Sequence, residues 1–193
     1  MKGLDKLTPI RLAEALSQKG AIDSDAISES LYAHQSTGES FVELLIDAGS
    51  ISEWDLAKVV VEHFQLPFVL PTSYESPREV GDLIPKELQF ETQVVPIDCF
   101  GDILTVSIPV YTSSEVFQKL EKESGKTIFP CVGLVSASRK ALTERFEDFL
   151  EWSKTREQQR KKKTEGAAPQ GGVIEDWESI FDVGDEQVRN SLG

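Results

Sequence analysis

The chain has only two histidines, His34 and His63, and they stand 29 positions apart at matched places in a repeated pattern. Imidazole side chains could bind a metal ion there, or could change charge near neutral pH. A metal site is disfavoured because neither histidine belongs to a His-Glu-x-x-His pattern or to a cysteine cluster. Each histidine is predicted to end a helix, where the dipole favours a cation and the ring can hydrogen-bond the last carbonyls. We therefore predict a structural role, with a ligand-facing role as the alternative.

A second candidate for chemistry is the run Gly125-Lys126-Thr127, which resembles the end of a phosphate-binding loop. Such a loop needs a glycine five residues before Gly125, where this chain has Leu120. It also needs the order strand, loop, helix, so that backbone N–H groups at a helix start meet the phosphates. The order predicted here is helix, turn, strand, so we interpret Gly125 as the end of a helix. The chain is not predicted to hydrolyse ATP.

The sequence does not place a nucleophile beside a general base. Both histidines lie in the repeat, so a Ser/His/Asp or Cys/His site would have to be built there. A pair of catalytic carboxylates stays open as an alternative, because 33 acidic residues offer many pairs by chance. We predict a non-enzymatic protein, with no catalytic residue, metal ligand or resident cofactor assigned.

The 193 residues carry a formal net charge of −13. This disfavours nucleic-acid binding, because such a surface must be basic to displace phosphate counterions. Cys99 and Cys131 are interpreted as small core residues in a reducing compartment. The N-terminal residues lack the apolar segment of a signal peptide, and no apolar run reaches the roughly 20 residues that span a bilayer. These observations predict a cytoplasmic protein that binds no nucleic acid and does not insert into a membrane.

The two histidines belong to a longer pattern that would position them. Six residues recur at the same interval of 29 positions, and Glu14 and Glu43 fit the same register. A matched pattern at one period is typical of a duplicated supersecondary unit. Two such units could form one pseudo-symmetric pocket. The repeat pairs Leu16, Gly20, Ile22, Ile27, Leu31 and His34 with Leu45, Gly49, Ile51, Leu56, Val60 and His63.

Residues 8–64 are predicted to be helical, as helix, glycine turn and helix in each unit. Thr8 and Pro9 begin the first helix, since proline at the first helical position loses no hydrogen bond. Gly20 can adopt the left-handed conformation that ends a helix, and Asp23 caps the next helix. The corresponding signals in the second unit are Glu39, Gly49 and Ser52.

From about residue 66 the pattern changes to short apolar segments that are typical of strands. They predict a small α/β layer in the order helix, two strands, helix, strand, helix, with Pro130 indicating an edge strand. The predicted strands are 67–70, 93–97, 103–108 and 127–132, and the predicted helices are 84–88, 113–124 and 136–152.

The composition changes again after Trp152. The basic run at 160–163 and the Gly- and Pro-containing run at 166–172 predict a flexible linker. In the last stretch, four apolar residues would share one face of a short acidic helix. Such a helix could dock on another protein or fold back on its own domain. The predicted partner-binding residues are Ile174, Trp177, Ile180 and Phe181.

The predicted fold class is α+β. Two N-terminal helix-turn-helix repeats, four helices in all, would be packed on or linked to a small α/β subdomain with a three- to four-stranded sheet. We predict a tandem helical repeat subdomain at 1–64 and a small α/β subdomain at 65–152. A flexible linker at 153–172 and an acidic tail at 173–193 would follow.

Together these segments resemble the N-terminal, MshEN-like domain of type II secretion and type IV pilus assembly ATPases. In that family two tandem motifs of equal length open with Arg-Leu-Gly and are separated by a short spacer. Here the units are 11–34 and 40–63, with 35–39 between them, and the resemblance covers about residues 8–150. We predict that the domain occurs here without the ATPase domain that follows it in the family, since the residues after 150 are interpreted as a linker and an acidic peptide. The resemblance therefore implies a docking or regulatory module.

Family members that bind cyclic di-GMP use the backbone at the motif opening and aliphatic side chains to hold the guanines and phosphates. The resemblance thus implies where a cyclic dinucleotide would bind in this chain. The residues carried over are Arg11, Leu12, Ala13, Leu16, Gly20 and His34 in the first motif, and Ser40, Phe41, Leu45, Gly49 and His63 in the second.

Several of these positions depart from the family motif. The motif glycine is Ala13 in the first unit and Val42 in the second, and the second arginine and leucine are Ser40 and Phe41. The closing glutamine is a histidine in both units. A side chain where backbone approaches a phosphate is a steric obstacle, and loss of an arginine removes a bidentate phosphate contact. Our leading hypothesis is a non-enzymatic adaptor that docks on a protein of a secretion, pilus or motility apparatus, and the alternative is a cyclic dinucleotide sensor.

Overall fold

The repeat region folds as two helical pairs. The computed structural model describes residues 8–166 of the chain. Its first four helices are α1 (Pro9–Gln18), α2 (Ser24–Thr37), α3 (Phe41–Asp47) and α4 (Glu53–Phe64). Each helix is preceded by a capping residue whose side-chain oxygen accepts a hydrogen bond from a backbone N–H of the first turn. Three of the four caps were predicted, and Ser40 was not. These caps are Thr8, Asp23, Ser40 and Ser52.

The turns inside the two units are geometrically equivalent. Gly20 and Gly49 adopt φ values of +60° and +68°, the left-handed region that favours glycine. After Gly20, the Ala21 amide donates to the Leu16 carbonyl at 3.1 Å, and in the second unit the Ser50 amide donates to the Leu45 carbonyl at 3.1 Å. These bonds satisfy carbonyls at the helix ends that would otherwise be unpaired. The 29-residue repeat is therefore a repeat of hydrogen bonding as well as of sequence.

The remaining elements form a small α/β layer. The helices are α5 (Arg78–Gly81), α6 (Lys86–Thr92), α7 (Ser114–Ser124), α8 (Val135–Arg145) and α9 (Phe149–Gly166). The strands are β1 (Val95–Phe100), β2 (Ile103–Pro109) and β3 (Thr127–Gly133). Among the described residues they form one sheet in the order β1-β2-β3, with β1 antiparallel and β3 parallel to β2. This mixture of helices and sheet confirms the predicted α+β class.

The outer edge of β3 is closed to further pairing. The Ile128 amide donates to a Glu121 side-chain oxygen at 3.3 Å, and Pro130 has no N–H to offer. The Val132 amide donates to the Pro67 carbonyl at 2.7 Å. Blocking an edge in this way prevents a further strand from adding to the sheet. Pro130 lies on an edge strand, as the sequence predicted.

Several elements differ from their predicted extents. The helix predicted at 84–88 is α6, which runs to Thr92, and the strand predicted at 93–97 is β1, which begins at Val95 and runs to Phe100. The short helix α5 was not predicted. The predicted strand at 67–70 pairs with β3 only at one bridge, Phe68 to Val132, because prolines at 67 and 71 flank it and lack the N–H groups that a longer ladder needs. The predicted helix at 136–152 is divided into α8 and α9 at Phe146, whose backbone is extended. The Phe146 ring packs edge-on against Phe90 at 5.2 Å, so a tertiary contact interrupts the helix.

One continuous core joins the helical repeats to the sheet. Leu12, Phe41 and Leu45 from the repeats are fully buried in the same cluster as Leu104 and Ile108 from β2. The burial of these apolar side chains is the main stabilising contribution to a domain of this kind. A smaller second cluster combines aliphatic side chains with aromatic rings and joins α6 to α9. It contains Phe90, Val95, Ile97, Leu142 and Phe149, with Phe146 and Trp152 packed against it.

The described residues up to Gln158 form one compact unit, and a second unit begins at Gln159. In the second unit the structure describes only the last turns of α9, which continue to Gly166. The predicted linker at 153–172 is therefore helical over its first part. Its Lys, Arg, Gln and Glu residues are strong helix formers, and an α-helix makes its hydrogen bonds within its own backbone. The tail at 173–193, with its four predicted partner-binding residues, lies outside the described residues.

Candidate functional site

Five of the residues carried over from the cyclic di-GMP motif lie in the core. Their side chains have at most 2% of their surface exposed and belong to the main core cluster. Val42, which stands at the second motif glycine, is 1% exposed. In this conformation these side chains pack on one another, and their role in ligand binding stays a prediction. The five residues are Leu12, Ala13, Leu16, Phe41 and Leu45.

The other predicted ligand residues lie at or near the surface. Arg11, Gly20, Gly49 and His63 are exposed, and Ser40 is half-buried. Thr8 accepts the backbone amide of Arg11 at 3.2 Å, and Ser40 likewise accepts the amide of the third residue after it, at 3.5 Å. The amide at the first motif opening therefore takes part in helix capping.

The two histidines occupy different environments despite their equivalence in the repeat. His34 lies in the last turn of α2, and its Nδ1 contacts the Glu39 carbonyl, which can only accept. Its ring lies 6.5 Å from that of Phe41, so it bridges the spacer between the units. His63 is exposed in the last turn of α4, with its ring 4.9 Å from the neighbouring Phe64 ring. The contacts of His34 support the structural role.

A polar cluster joins the second repeat unit to the α/β layer. It consists of Glu43 on α3, Gln93 at the end of α6 and Arg139 on α8. Arg139 donates to Glu43 at 2.7 Å through Nη2 and to Gln93 at 3.1 Å through Nε. Gln93 in turn donates to Glu43 at 3.0 Å. The three side chains form a closed network, and the Glu43 side chain is only 18% exposed, so this cluster sets how α3 meets α8.

A second contact reinforces the same junction. Glu53, the first residue of α4, accepts from both the backbone amide and the hydroxyl of Ser136, at 3.1 and 2.8 Å. A carboxylate at this place is favourable because it faces the unpaired N–H groups and the positive dipole end of α8. Glu43 and Glu53 therefore hold α8 from both helices of the second unit.

Ion pairs with perturbed acidity lie elsewhere on the surface. Lys19, just after α1, hydrogen-bonds Glu62 on α4 and lowers the pKa of that carboxyl. Lys86 hydrogen-bonds Asp148 and likewise lowers its pKa. Burial lowers the pKa of the Arg145 guanidinium, which lies beneath Gly81. These groups hold neighbouring elements together and do not converge on one cleft.

Sequence reasoning missed the Glu43–Gln93–Arg139 cluster. Glu43 and Arg139 are 96 residues apart, and Gln93 belongs to no repeated pattern. The one available signal was that Glu43 belongs to the repeat. Between residues 8 and 166, no group of three or more His, Cys, Asp or Glu residues could hold a metal ion, and no helix is long and apolar enough to cross a membrane.

The fold of this chain is similar to that of two solved structures. The structure of MshE with cdg (cyclic di-GMP) matches 70% of this chain and 99% of that chain, with a TM-score of 0.58 and 17% identity. The N-terminal domain of XpsE matches 69% of this chain and 92% of its own, with a TM-score of 0.58 and 21% identity. At these identities the likeness establishes the fold.

A sequence relative points to the same class. The type IV pilus assembly ATPase PilB of Thermus thermophilus is 28% identical over 143 residues. That alignment spans 72% of this chain but only 16% of PilB. No protein-family model matches the chain. The relatives together fit an MshEN-like domain of secretion ATPases, which confirms the resemblance predicted from the tandem motif.

Proposed function

We propose that this chain is a non-enzymatic adaptor or regulatory module that docks onto a protein component of a type II secretion, type IV pilus or motility apparatus. The observation that carries the proposal is the fold match to MshE and XpsE, which spans nearly the whole of both solved chains. The similarity to PilB supports the connection to pilus assembly. Five of the carried-over motif residues are buried in the core, and this burial favours docking over ligand binding at those positions.

Affinity capture with chemical cross-linking in the native cell tests this proposal. The full chain is the bait, and an unrelated acidic protein of similar size and charge is the control bait. We expect a component of a secretion, pilus or motility apparatus to cross-link to this chain and not to the control. Recovery of no such component would contradict the adaptor function.

The acidic tail is proposed as a second docking element. Its four apolar residues would form one face for a partner protein. The test is the same capture with Trp177→Ala and Ile180→Ala together in the full chain. We expect less of the apparatus component to be recovered, and unchanged recovery would remove the tail from the proposal.

Cyclic di-GMP binding is the second candidate function, because one matching structure, MshE, was solved with this nucleotide. Arg11 is exposed on α1 and would contact a phosphate. Calorimetry with cyclic di-GMP should then show binding that Arg11→Ala abolishes. Arg78→Ala is the matched control, since Arg78 is exposed on α5, outside the repeat. Absence of heat at high micromolar ligand would exclude the sensor function.

A further inference from the structure

The hairpin end of the sheet has one face that residues 8–166 leave largely uncovered. Residues directly opposite one another on paired strands share a face, so the strand register identifies which side chains lie together. Among them, Phe100 is 84% exposed, Ile103 48% and Phe129 39%. We call this surface the open face. Its two rows are Asp98, Thr105 and Phe129, and Phe100, Ile103 and Thr127.

The rest of the sheet is covered. On the opposite face, Leu104 and Ile128 are buried in the main core with Leu120 of α7. The open face itself continues to Val95 and Ser107, which are buried where α8 lies over the sheet. Three adjacent, exposed large apolar side chains on a surface that is otherwise covered indicate an interaction site.

The charges at the open face are acidic. Asp98 is an exposed member of the face, and the Asp102 side chain, in the hairpin turn, is 96% exposed. Lys126 offsets one of these two charges, because its ammonium donates to the Gly101 carbonyl at 3.0 Å and lies 3.4 Å from Asp102. The group of three therefore keeps a net negative charge, carried by Asp98. An anionic lipid surface, or the same face of a second copy, would be repelled by these carboxylates. A partner with basic residues beside its apolar ones would be attracted.

The dimensions of the open face fit a helix. Strands lie about 4.8 Å apart, so three strands present a strip about 10 Å wide, which is close to the diameter of an α-helix. The adjoining part of the same face is already covered by a helix, α8. We propose that the open face binds an amphipathic helix of a partner protein. The partner's apolar side chains would contact Phe100, Ile103 and Phe129, and its Lys or Arg side chains would lie beside Asp98 and Asp102.

This inference rests on the proposed docking function and adds the surface and the chemistry of the partner. A synthetic helical peptide tests it, with leucines along one face and lysines on both flanks; a matched peptide carries glutamates instead of lysines. Binding to the full chain is followed by fluorescence anisotropy. We expect the lysine peptide to bind, and Phe100→Ser and Asp98→Lys each to weaken it at least about tenfold, as for residues at the centre of an interface.

Two control variants distinguish binding at the open face from a general attraction of the lysine peptide to an acidic protein. Tyr74→Ser removes another exposed aromatic ring, and Glu29→Lys makes the same change in charge on α2. Each should change the peptide's affinity by less than about twofold. The inference is wrong if the lysine peptide does not bind, if it binds the face and control variants equally, or if the glutamate peptide binds as tightly. It is also wrong if sedimentation shows a wild-type dimer that Phe100→Ser dissociates.

The native capture experiment separates failure of this inference from failure of the proposed function. With the Phe100→Ser chain as bait, we expect loss of the apparatus component that the wild-type chain recovers. Equal recovery would leave the adaptor function in place and exclude the open face as its docking surface. If even the wild-type chain recovers no component, the adaptor function itself fails. Because the Phe100 side chain is 84% exposed, the variant is expected to fold, which circular dichroism checks.

Discussion

Glu14 and Glu43 show how residues that match in sequence diverge in role. They occupy equivalent positions in the repeat, yet Glu43 accepts hydrogen bonds from Arg139 and Gln93. The Glu14 side chain makes no hydrogen bond or ion pair with another residue between 8 and 166. The difference arises because Glu43 on α3 lies next to α8, whereas the Glu14 side chain on α1 does not contact it. No rule that acts within one repeat unit could have distinguished the two.

Replacing Glu43 by alanine should destabilise the chain. Hydrogen bonds to a charged group contribute about 1.5–3 kcal/mol, and we reduce this to about 1–2 kcal/mol because the Arg139 side chain is 43% exposed. Urea denaturation measures the free energy of unfolding. Glu14→Ala is the matched control and should change it by less than about 0.5 kcal/mol. Equal effects at both positions would show that the cluster does not stabilise the junction.

Lys86 should control the acidity of Asp148. Its hydrogen bond lowers the pKa of that carboxyl, so Lys86→Met should return the pKa upward toward its ordinary value, as NMR titration would show. A lowered folded-state pKa stabilises the protein above the unfolded-state pKa, and this contribution is lost as pH falls through the folded-state value. The free energy of unfolding of the wild-type chain should therefore exceed that of Lys86→Met by less as the pH falls below about 4.

A control and a contrary result accompany this titration. Lys119→Met removes an exposed lysine that pairs with Glu91 at 3.4 Å, and it should leave the Asp148 titration unchanged. Lys86 also lies over the rings of Phe90 and Phe146. If those ring contacts were its only contribution, Lys86→Met would destabilise the chain equally at every pH.

At the scale of elements, the local signals for helices were reliable. Glycine at a helix end, and proline, aspartate or serine at a helix start, act through groups within four residues. Both ends of α1 and α4, and the start of α2, could therefore be predicted to within about two residues. The end of α2 was predicted at His34, but the helix continues to Thr37, where Gly38 ends it. The break between α8 and α9 could not be predicted, because it depends on the Phe146 ring reaching Phe90, 56 positions earlier in the chain. The extent to which residues 67–70 pair as a strand could not be predicted either, because it depends on β3, which is distant in the sequence.

The two turn glycines should be equivalent on substitution. Gly20 and Gly49 have φ values of +60° and +68°, and a Cβ at either would meet no atom within 4 Å. The penalty of an alanine is then only that of the left-handed backbone, about 1–2 kcal/mol at each site by urea denaturation. Asparagine should be less destabilising than alanine at both. A large effect at one glycine alone would contradict the equivalence of the turns.

At the scale of the molecule, the core predicts how the chain unfolds. Because Phe41 and Leu45 share one core with Leu104 and Ile108, the repeats and the sheet should unfold together. Two variants provide separate probes. Trp152→Phe with Trp177→Phe leaves Trp54 on α4, and Trp54→Phe with Trp177→Phe leaves Trp152 on α9. For each variant we measure the urea midpoint of unfolding by tryptophan fluorescence and by circular dichroism. We expect the two midpoints to coincide in both variants. Separate midpoints would show that the two regions are independent.

The sequence by itself determined the α+β class, the tandem helical units and the likeness to MshEN-like domains. These follow from periodicity, caps and turn glycines, whose effects are local and are therefore legible along the chain. Only the tertiary structure decided which motif residues are buried, which glutamate joins the repeats to α8, and which face of the sheet stays open. Those outcomes depend on contacts between residues far apart in the sequence, which no spacing rule records.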